Sequence, residues 1–169
     1  DNIIKLYPDF IDDVFDKLYS FFSMYFSKNG SICFNNSQSN ILCKYDKDII
    51  EILKDSVYNY TFQVLKYLQS KKLTPEMIQV GNENNFGMLW PVGKIDTSKS
   101  LAEQNKQWNN FGTLLNSGIK AVRDFSKNSS IKPQIILHVA QLQFANWWTS
   151  NLTTKGNVKD YDILGLSHY

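Results

Sequence analysis

Pro75-Glu76-Met77-Ile78-Gln79-Val80-Gly81-Asn82-Glu83, running on through Asn84-Asn85-Phe86-Gly87-Met88-Leu89-Trp90-Pro91, is the stretch on which the fold turns. Residues 77–80 form a short apolar run with a β-branched end, which predicts a buried strand. Gly81 can adopt backbone shapes closed to residues with a side chain. The strand then delivers an amide, Asn82, and a carboxylate, Glu83, followed by a loop holding Gly87, Trp90, Pro91 and Gly93. A carboxylate at the carboxyl end of a buried parallel strand is where barrel enzymes keep their chemistry. Taken alone, an Asn-Glu pair reads more readily as the surface end of a strand.

Working outward, the 169 residues suffice for one core, so a single domain over 1–169 is the expectation. With 43% hydrophobic and 20% charged residues the composition is that of a globular protein. A net charge of +2, with scattered basic residues, argues against nucleic acid or a membrane surface as partner. No apolar run is long enough to span a bilayer. The opening Asp1-Asn2-Ile3-Ile4-Lys5 does not resemble a signal peptide, and the lack of an initial Met suggests processing or truncation. Cys33 and Cys43 could close a small disulfide loop or stay free, and they lack the companions of a zinc site, so no metal is expected. Asn-x-Ser/Thr sequons begin at Asn29, Asn35, Asn59, Asn128 and Asn151, a number that leans towards a secreted glycoprotein.

Along the chain, Phe10, Ile11, Val14, Phe15, Leu18, Phe22 and Tyr25 recur at helical spacing, predicting a helix over residues 8–26, with a buried strand over 18–26 as the alternative. Residues 27–40 are rich in Ser, Asn and Gly and read as a loop. Residues 46–72 carry Ile49, Ile50, Leu53, Val57, Tyr60, Val64, Leu65 and Leu68 on one face. Asp46 is the expected cap of this helix, and Lys71-Lys72 suit its negative end. Residues 92–104 read as a polar loop, 105–127 as a helix, 134–139 as a strand, 144–154 as a helix and 161–167 as a final strand. Alternating strands and helices predict a parallel α/β architecture.

The stretch ending in Leu89-Trp90-Pro91 resembles the fourth-strand motif of glycoside hydrolase family 53, the arabinogalactan endo-β-1,4-galactanases. The resemblance extends to Val57-Tyr58-Asn59-Tyr60-Thr61, to Leu114-Leu115-Asn116-Ser117-Gly118-Ile119-Lys120-Ala121-Val122-Arg123-Asp124, to Ile136-Leu137-His138, to Asn146-Trp147-Trp148, and to Asp162-Ile163-Leu164-Gly165-Leu166-Ser167-His168-Tyr169. These blocks keep the family's order, with residues 46–169 well matched and 1–45 poorly matched. What the resemblance implies is part of a TIM (β/α)8 barrel, about the fourth to sixth strands with their helices. The family's third strand ends in His-Tyr-Ser-Asp, from which Met24-Tyr25-Phe26-Ser27 departs at three positions. After His138 the relatives continue with Asp or Ala and then Asn-Gly-Trp, whereas here Val139-Ala140-Gln141-Leu142 follows and the loop to Asn146 is shorter.

A retaining glycosidase needs two carboxyl groups about 5–5.5 Å apart, a nucleophile and an acid/base. By resemblance Glu83 is the acid/base, its pKa raised by partial desolvation beside Trp90. Asn82 would bind the sugar hydroxyl next to the reacting carbon, and Trp90 would stack on a galactose ring. His138 and Tyr169 would line the cleft, although core packing is an equal alternative for Tyr169. The nucleophilic Glu of the family lies on a seventh strand, which would follow Tyr169, so the chain alone is expected to be inactive. The expected substrate is the polysaccharide β-1,4-galactan, with water as co-substrate, no cofactor, a monomeric state and an extracellular location. The alternatives are a non-catalytic carbohydrate-binding relative and another retaining glycosidase of the same clan.

Overall fold

The computed structural model describes residues 39–167, and its account of side chains begins at residue 49. In chain order the elements are helix α1 (Ser39–Ser70), strands β1 (Met77–Gln79), β2 (Gly87–Met88) and β3 (Gly93–Lys94), helix α2 (Leu101–Lys127), strand β4 (Gln134–Ala140), helix α3 (Leu142–Thr154) and strand β5 (Ile163–Ser167). β1, β4 and β5 form a parallel sheet in that order, and β2 pairs antiparallel with β3. Parallel neighbours require crossovers. Here α2 and α3 supply them, which makes the unit a run of βα repeats and a part of a (β/α)8 barrel, as expected.

Period two along the strands sorts their side chains. Ile135, Leu137 and Val139 of β4 are fully buried against the helices, and Val80 at the end of β1 joins them. Trp108, Phe111, Leu115, Ile119 and Val122 of α2 and Trp148 and Leu152 of α3 complete this core. Gly118 is the close contact beneath β1: a Cβ there would lie 2.7 Å from Val80 Cγ1 and 3.4 Å from Val57 Cγ1. The register Ile78↔Ile135 and His138↔Gly165 puts Met77, Gln79, Ile136, His138, Ile163, Gly165 and Ser167 on the other face. In a closed barrel that face is the interior.

The expectation of a wholly buried strand over 77–80 is therefore corrected. Met77 is 53% exposed, because among the described residues nothing covers the face it shares with Gln79. α1 starts at Ser39, so Asp46 lies inside the helix and cannot cap it. The helix stops at Ser70. Lys71 and Lys72 form a turn, Lys72 in the left-handed region at φ +59°, and the Leu73 N–H donates to Leu68 O at 2.9 Å. α2 begins at Leu101 rather than residue 105. Ser100 and Glu103 make a capping box there: Glu103 N–H donates to Ser100 Oγ at 3.3 Å and Ser100 N–H to Glu103 Oε2 at 3.2 Å.

Residues 92–104 are likewise not all loop. Gly93–Lys94 pairs with Gly87–Met88, and the pairing depends on Gly87, at φ +88°, where a Cβ would stand 1.8 Å from Gly93 O. Ile95 is buried behind this hairpin. The strand and helix expected at 134–139 and 144–154 are present, extended to Ala140 and back to Leu142, and the last strand is shortened to Ile163–Ser167. The loop expected over 27–40 is helical at residues 39–40, where α1 begins, and the expectations for residues 8–26, for 27–38, for Cys33 and for His168 and Tyr169 fall outside the described residues. Cys43 lies within α1.

Candidate active site

The carboxyl ends of β1, β4 and β5 meet in one cluster of polar side chains. Gly81, at φ +82°, turns the chain out of β1, and a Cβ there would meet the Asn84 amide nitrogen at 1.8 Å. Two buried asparagines then fix the loop. Asn84 N–H donates to His138 O at 3.0 Å, Asn84 Nδ2 to Val80 O at 3.5 Å, and Asn84 O accepts from the Trp148 indole at 2.8 Å. Asn85 acts as a surrogate strand residue: its Nδ2 donates to Ala140 O and its Oδ1 accepts from Ala140 N–H, both at 2.8 Å. A buried polar group must find such partners, since leaving one unpaired costs ~1–3 kcal/mol.

Glu83 sits just before this clamp with φ +48°, a left-handed conformation that costs a non-glycine residue ~1–2 kcal/mol. The surrounding bonds hold it there. Its N–H donates to His138 Nδ1 at 3.2 Å. Its Oε1 accepts from the Ser167 hydroxyl at 2.7 Å, and Ser167 Oγ lies 3.0 Å from His138 Nε2. Asn82 is exposed; its Oδ1 accepts from Gln79 Nε2 at 3.0 Å and stands 3.2 Å from His138 Nδ1. Gln79 Nε2 also donates to Gly81 O at 2.7 Å.

Of the residues expected from the sequence, Glu83, Asn82 and His138 are thus drawn together. Trp90 is on the hairpin, 59% exposed, with its indole N–H donating to Phe86 O at 3.0 Å and the Lys94 ammonium 4.7 Å above its ring. These contacts tie Trp90 to Phe86 and Lys94. Tyr169 lies outside the described residues. Of the tryptophan pair, Trp148 is fully buried, while Trp147 packs with Phe86, Phe144 and Trp108. Phe86, Thr97, Phe144 and Trp147 line an apolar groove of about 350 Å³.

Sequence reasoning missed Ser167, Gln79, Asn84 and Asn85. For Ser167, period two sets its face within β5, but only the register His138↔Gly165 places that face on the side of His138. Asn85 had no readable signal, because its side-chain partners are the backbone groups of Ala140, 55 residues away.

Three acids, Asp124, Asp160 and Asp162, lie towards the opposite end. Arg123 reaches Asp160 at 2.7 Å and Asp162 at 3.1 Å, and Asp162 Oδ2 accepts from Ile135 N–H at 2.7 Å, at the start of β4. Asp124 is gripped by Lys120, by Lys127 at 2.7 Å and by Tyr58 Oη at 2.9 Å, which together hold its carboxyl well below the usual range. Among the described residues no helix is long and apolar enough to cross a membrane, and no group of three His, Cys, Asp or Glu could hold a metal ion.

The family model described as Glycosyl hydrolase family 53 matches residues 34–169. The chain is 39% identical over 117 residues to the arabinogalactan endo-β-1,4-galactanase of Cellvibrio japonicus, covering 69% of this chain and 29% of that protein. It is 31% identical over 125 residues to the enzyme of the same name from Thermothelomyces thermophilus, covering 71% and 34%. Among solved structures, one from a study of two fungal β-1,4-galactanases superposes with a TM-score of 0.57 at 30% identity, covering 70% of this chain and 33% of the other. The family 53 catalytic domain of Ignisphaera aggregans gives 0.56 at 31% identity, covering 71% and 29%. The chain spans about a third of the length of the curated relatives it matches.

Proposed function

The chain belongs to glycosyl hydrolase family 53, and from that premise we propose that it forms part of a retaining endo-β-1,4-galactanase in which Glu83 is the general acid/base. The observation that carries the reading is the placement of Glu83: one carboxylate at the carboxyl end of β1, its oxygen held by a hydroxyl from β5 and its backbone by an imidazole from β4. Barrel enzymes assemble their catalytic groups from the ends of several strands in this way.

In this reading Glu83 gives its proton to the leaving glycosidic oxygen, and the resulting carboxylate later takes a proton from the water that releases the sugar. The second carboxyl group, the nucleophile, is not supplied by Asp124, Asp160 or Asp162, which are engaged at the far end of the sheet. Asn82 projects into solvent beside Glu83, where its amide can meet a sugar hydroxyl once Gln79 yields. Trp90 offers an exposed aromatic face to a galactose ring. The substrate is β-1,4-galactan, the co-substrate water, and the location extracellular, where the polymer is found.

The test is galactan hydrolysis by this sequence substituted for the matching segment of the Cellvibrio japonicus relative, which supplies the remaining strands on both sides. Glu83→Gln should lower the rate about 10²–10⁴-fold, and an unchanged rate would overturn the assignment. The 169-residue chain by itself is expected to release no reducing sugar. Release that disappears in Glu83→Gln would show that the second carboxyl group is already present.

A further inference from the structure

We infer that His138 and Ser167 are positioning residues that close a one-way hydrogen-bond ring on Glu83, with His138 held as the neutral tautomer protonated at Nε2. The inference rests on the reading of Glu83 as the acid/base, but the ring itself follows from the geometry.

The argument is one of donors and acceptors. Ser167 has a single hydroxyl proton and two neighbours able to accept it, Glu83 Oε1 at 2.7 Å and His138 Nε2 at 3.0 Å. Which one receives it depends on where the imidazole carries its proton. At the other ring nitrogen, Nδ1, the Glu83 backbone N–H arrives at 3.2 Å. A backbone N–H cannot rotate away or change its role, so Nδ1 must offer its lone pair. A neutral ring then carries its proton on Nε2, Nε2–H donates to Ser167 Oγ, and the hydroxyl proton is left for Glu83 Oε1. The bonds run from Glu83 N–H through the imidazole and the hydroxyl back to the Glu83 carboxylate. Every bond in the ring points the same way, the arrangement in which hydrogen bonds polarise and strengthen one another.

The Asn82 oxygen opposes this assignment, since at 3.2 Å from Nδ1 it would favour a proton there. Asn82 is exposed and its amide can turn, whereas the Glu83 N–H is fixed by the loop that Asn84 and Asn85 clamp. The backbone therefore decides. The consequence for catalysis is directional. A hydroxyl donating to Glu83 Oε1 favours the carboxylate over the acid, so the ring supports the base step. When Glu83 is protonated, Ser167 Oγ can still accept from Nε2–H while its own proton turns to solvent.

The chain has only two histidines, so long-range 1H–15N NMR resolves them, and loss of a signal in His138→Gln assigns the pair. Near neutral pH, His138 should show a protonated Nε2 and an unprotonated Nδ1. Ser167→Ala should move the Nε2 resonance and the Glu83 carboxyl 13C resonance together, and Ser167→Thr, which keeps the hydroxyl, should return both. A proton on Nδ1, or a Ser167→Ala spectrum with both resonances in place, would overturn the ring. The tautomer is read in the unmodified chain, so it stands even if Ser167→Ala does not fold. The Glu83→Gln galactan assay is a separate measurement: its failure removes the catalytic reading and leaves the ring intact, and the reverse also holds.

Discussion

Glu83 pays for its place in backbone strain, and the two residues that make its conformation tolerable are Gly81 and Asn85. Gly81 is needed twice over, for its φ of +82° and because the Asn84 amide occupies the space a Cβ would take. Gly81→Ala should therefore lower unfolding stability by more than ~2 kcal/mol in urea titration, above the usual cost of a surface substitution. A loss under 1 kcal/mol would mean that the turn relaxes freely. Asn85→Ala should cost ~2 kcal/mol by stranding the N–H and C=O of Ala140. Asn85→Asp should stay costly, because it still accepts from Ala140 N–H but turns a carboxylate oxygen on Ala140 O. The two residue types differ in how legible they were. Glu83 was marked by the resemblance of the whole stretch to a family motif, since taken alone an Asn-Glu pair reads as the surface end of a strand. Asn85 was not, since an amide serving as a strand mimic looks in sequence like any loop asparagine until β4 lies beside it.

At the scale of elements, α1 and α2 are joined by Tyr58 of α1 donating to Asp124 of α2, with Lys120 of α2 also lying 5.0 Å over the Tyr58 ring. Lys120 first, then Lys127 and Tyr58, depress the Asp124 pKa below its unfolded value of about 3.9. A depressed folded-state value gives stability that is present above that unfolded value and lost as pH falls through the folded one. The urea midpoint should thus fall on acidification below about pH 4, and Asp124→Asn should flatten that fall; equal slopes in the two proteins would sink the assignment. The existence and type of these helices were readable, because their apolar stripes must face a core. Their ends were not. The start of α2 follows from a Ser-x-x-Glu signal that polar surroundings disguised, and the β2–β3 hairpin depends on two glycine backbones meeting, which no periodicity encodes.

Taken whole, the sheet has two ends with different work. The carboxyl ends of the strands hold Glu83, His138 and Ser167; the amino ends hold Arg123, Asp160 and Asp162. This matches the general division of barrel proteins, in which chemistry sits at the first end and stability at the second. Alternation of strand and helix made the fold class legible, and the register between β4 and β5, which brings Ser167 to the Glu83 side, was not legible, because a strand's partner is set by closure of the whole sheet. The division makes a paired prediction. Asp162→Ala removes the acceptor of the Ile135 N–H, a group on a fully buried residue, along with an Arg123 contact. It should cost ~1–3 kcal/mol of stability, while the His138 nitrogen and Glu83 carboxyl resonances stay where they are. Ser167→Ala should do the opposite, shifting those resonances at a stability cost under ~1 kcal/mol, because its oxygen faces a partly open cluster. Both variants are read by the same two measurements, urea unfolding and NMR. If Asp162→Ala moves the Glu83 signals, the salt-bridged end is coupled to the site through β4 and the two ends are not independent.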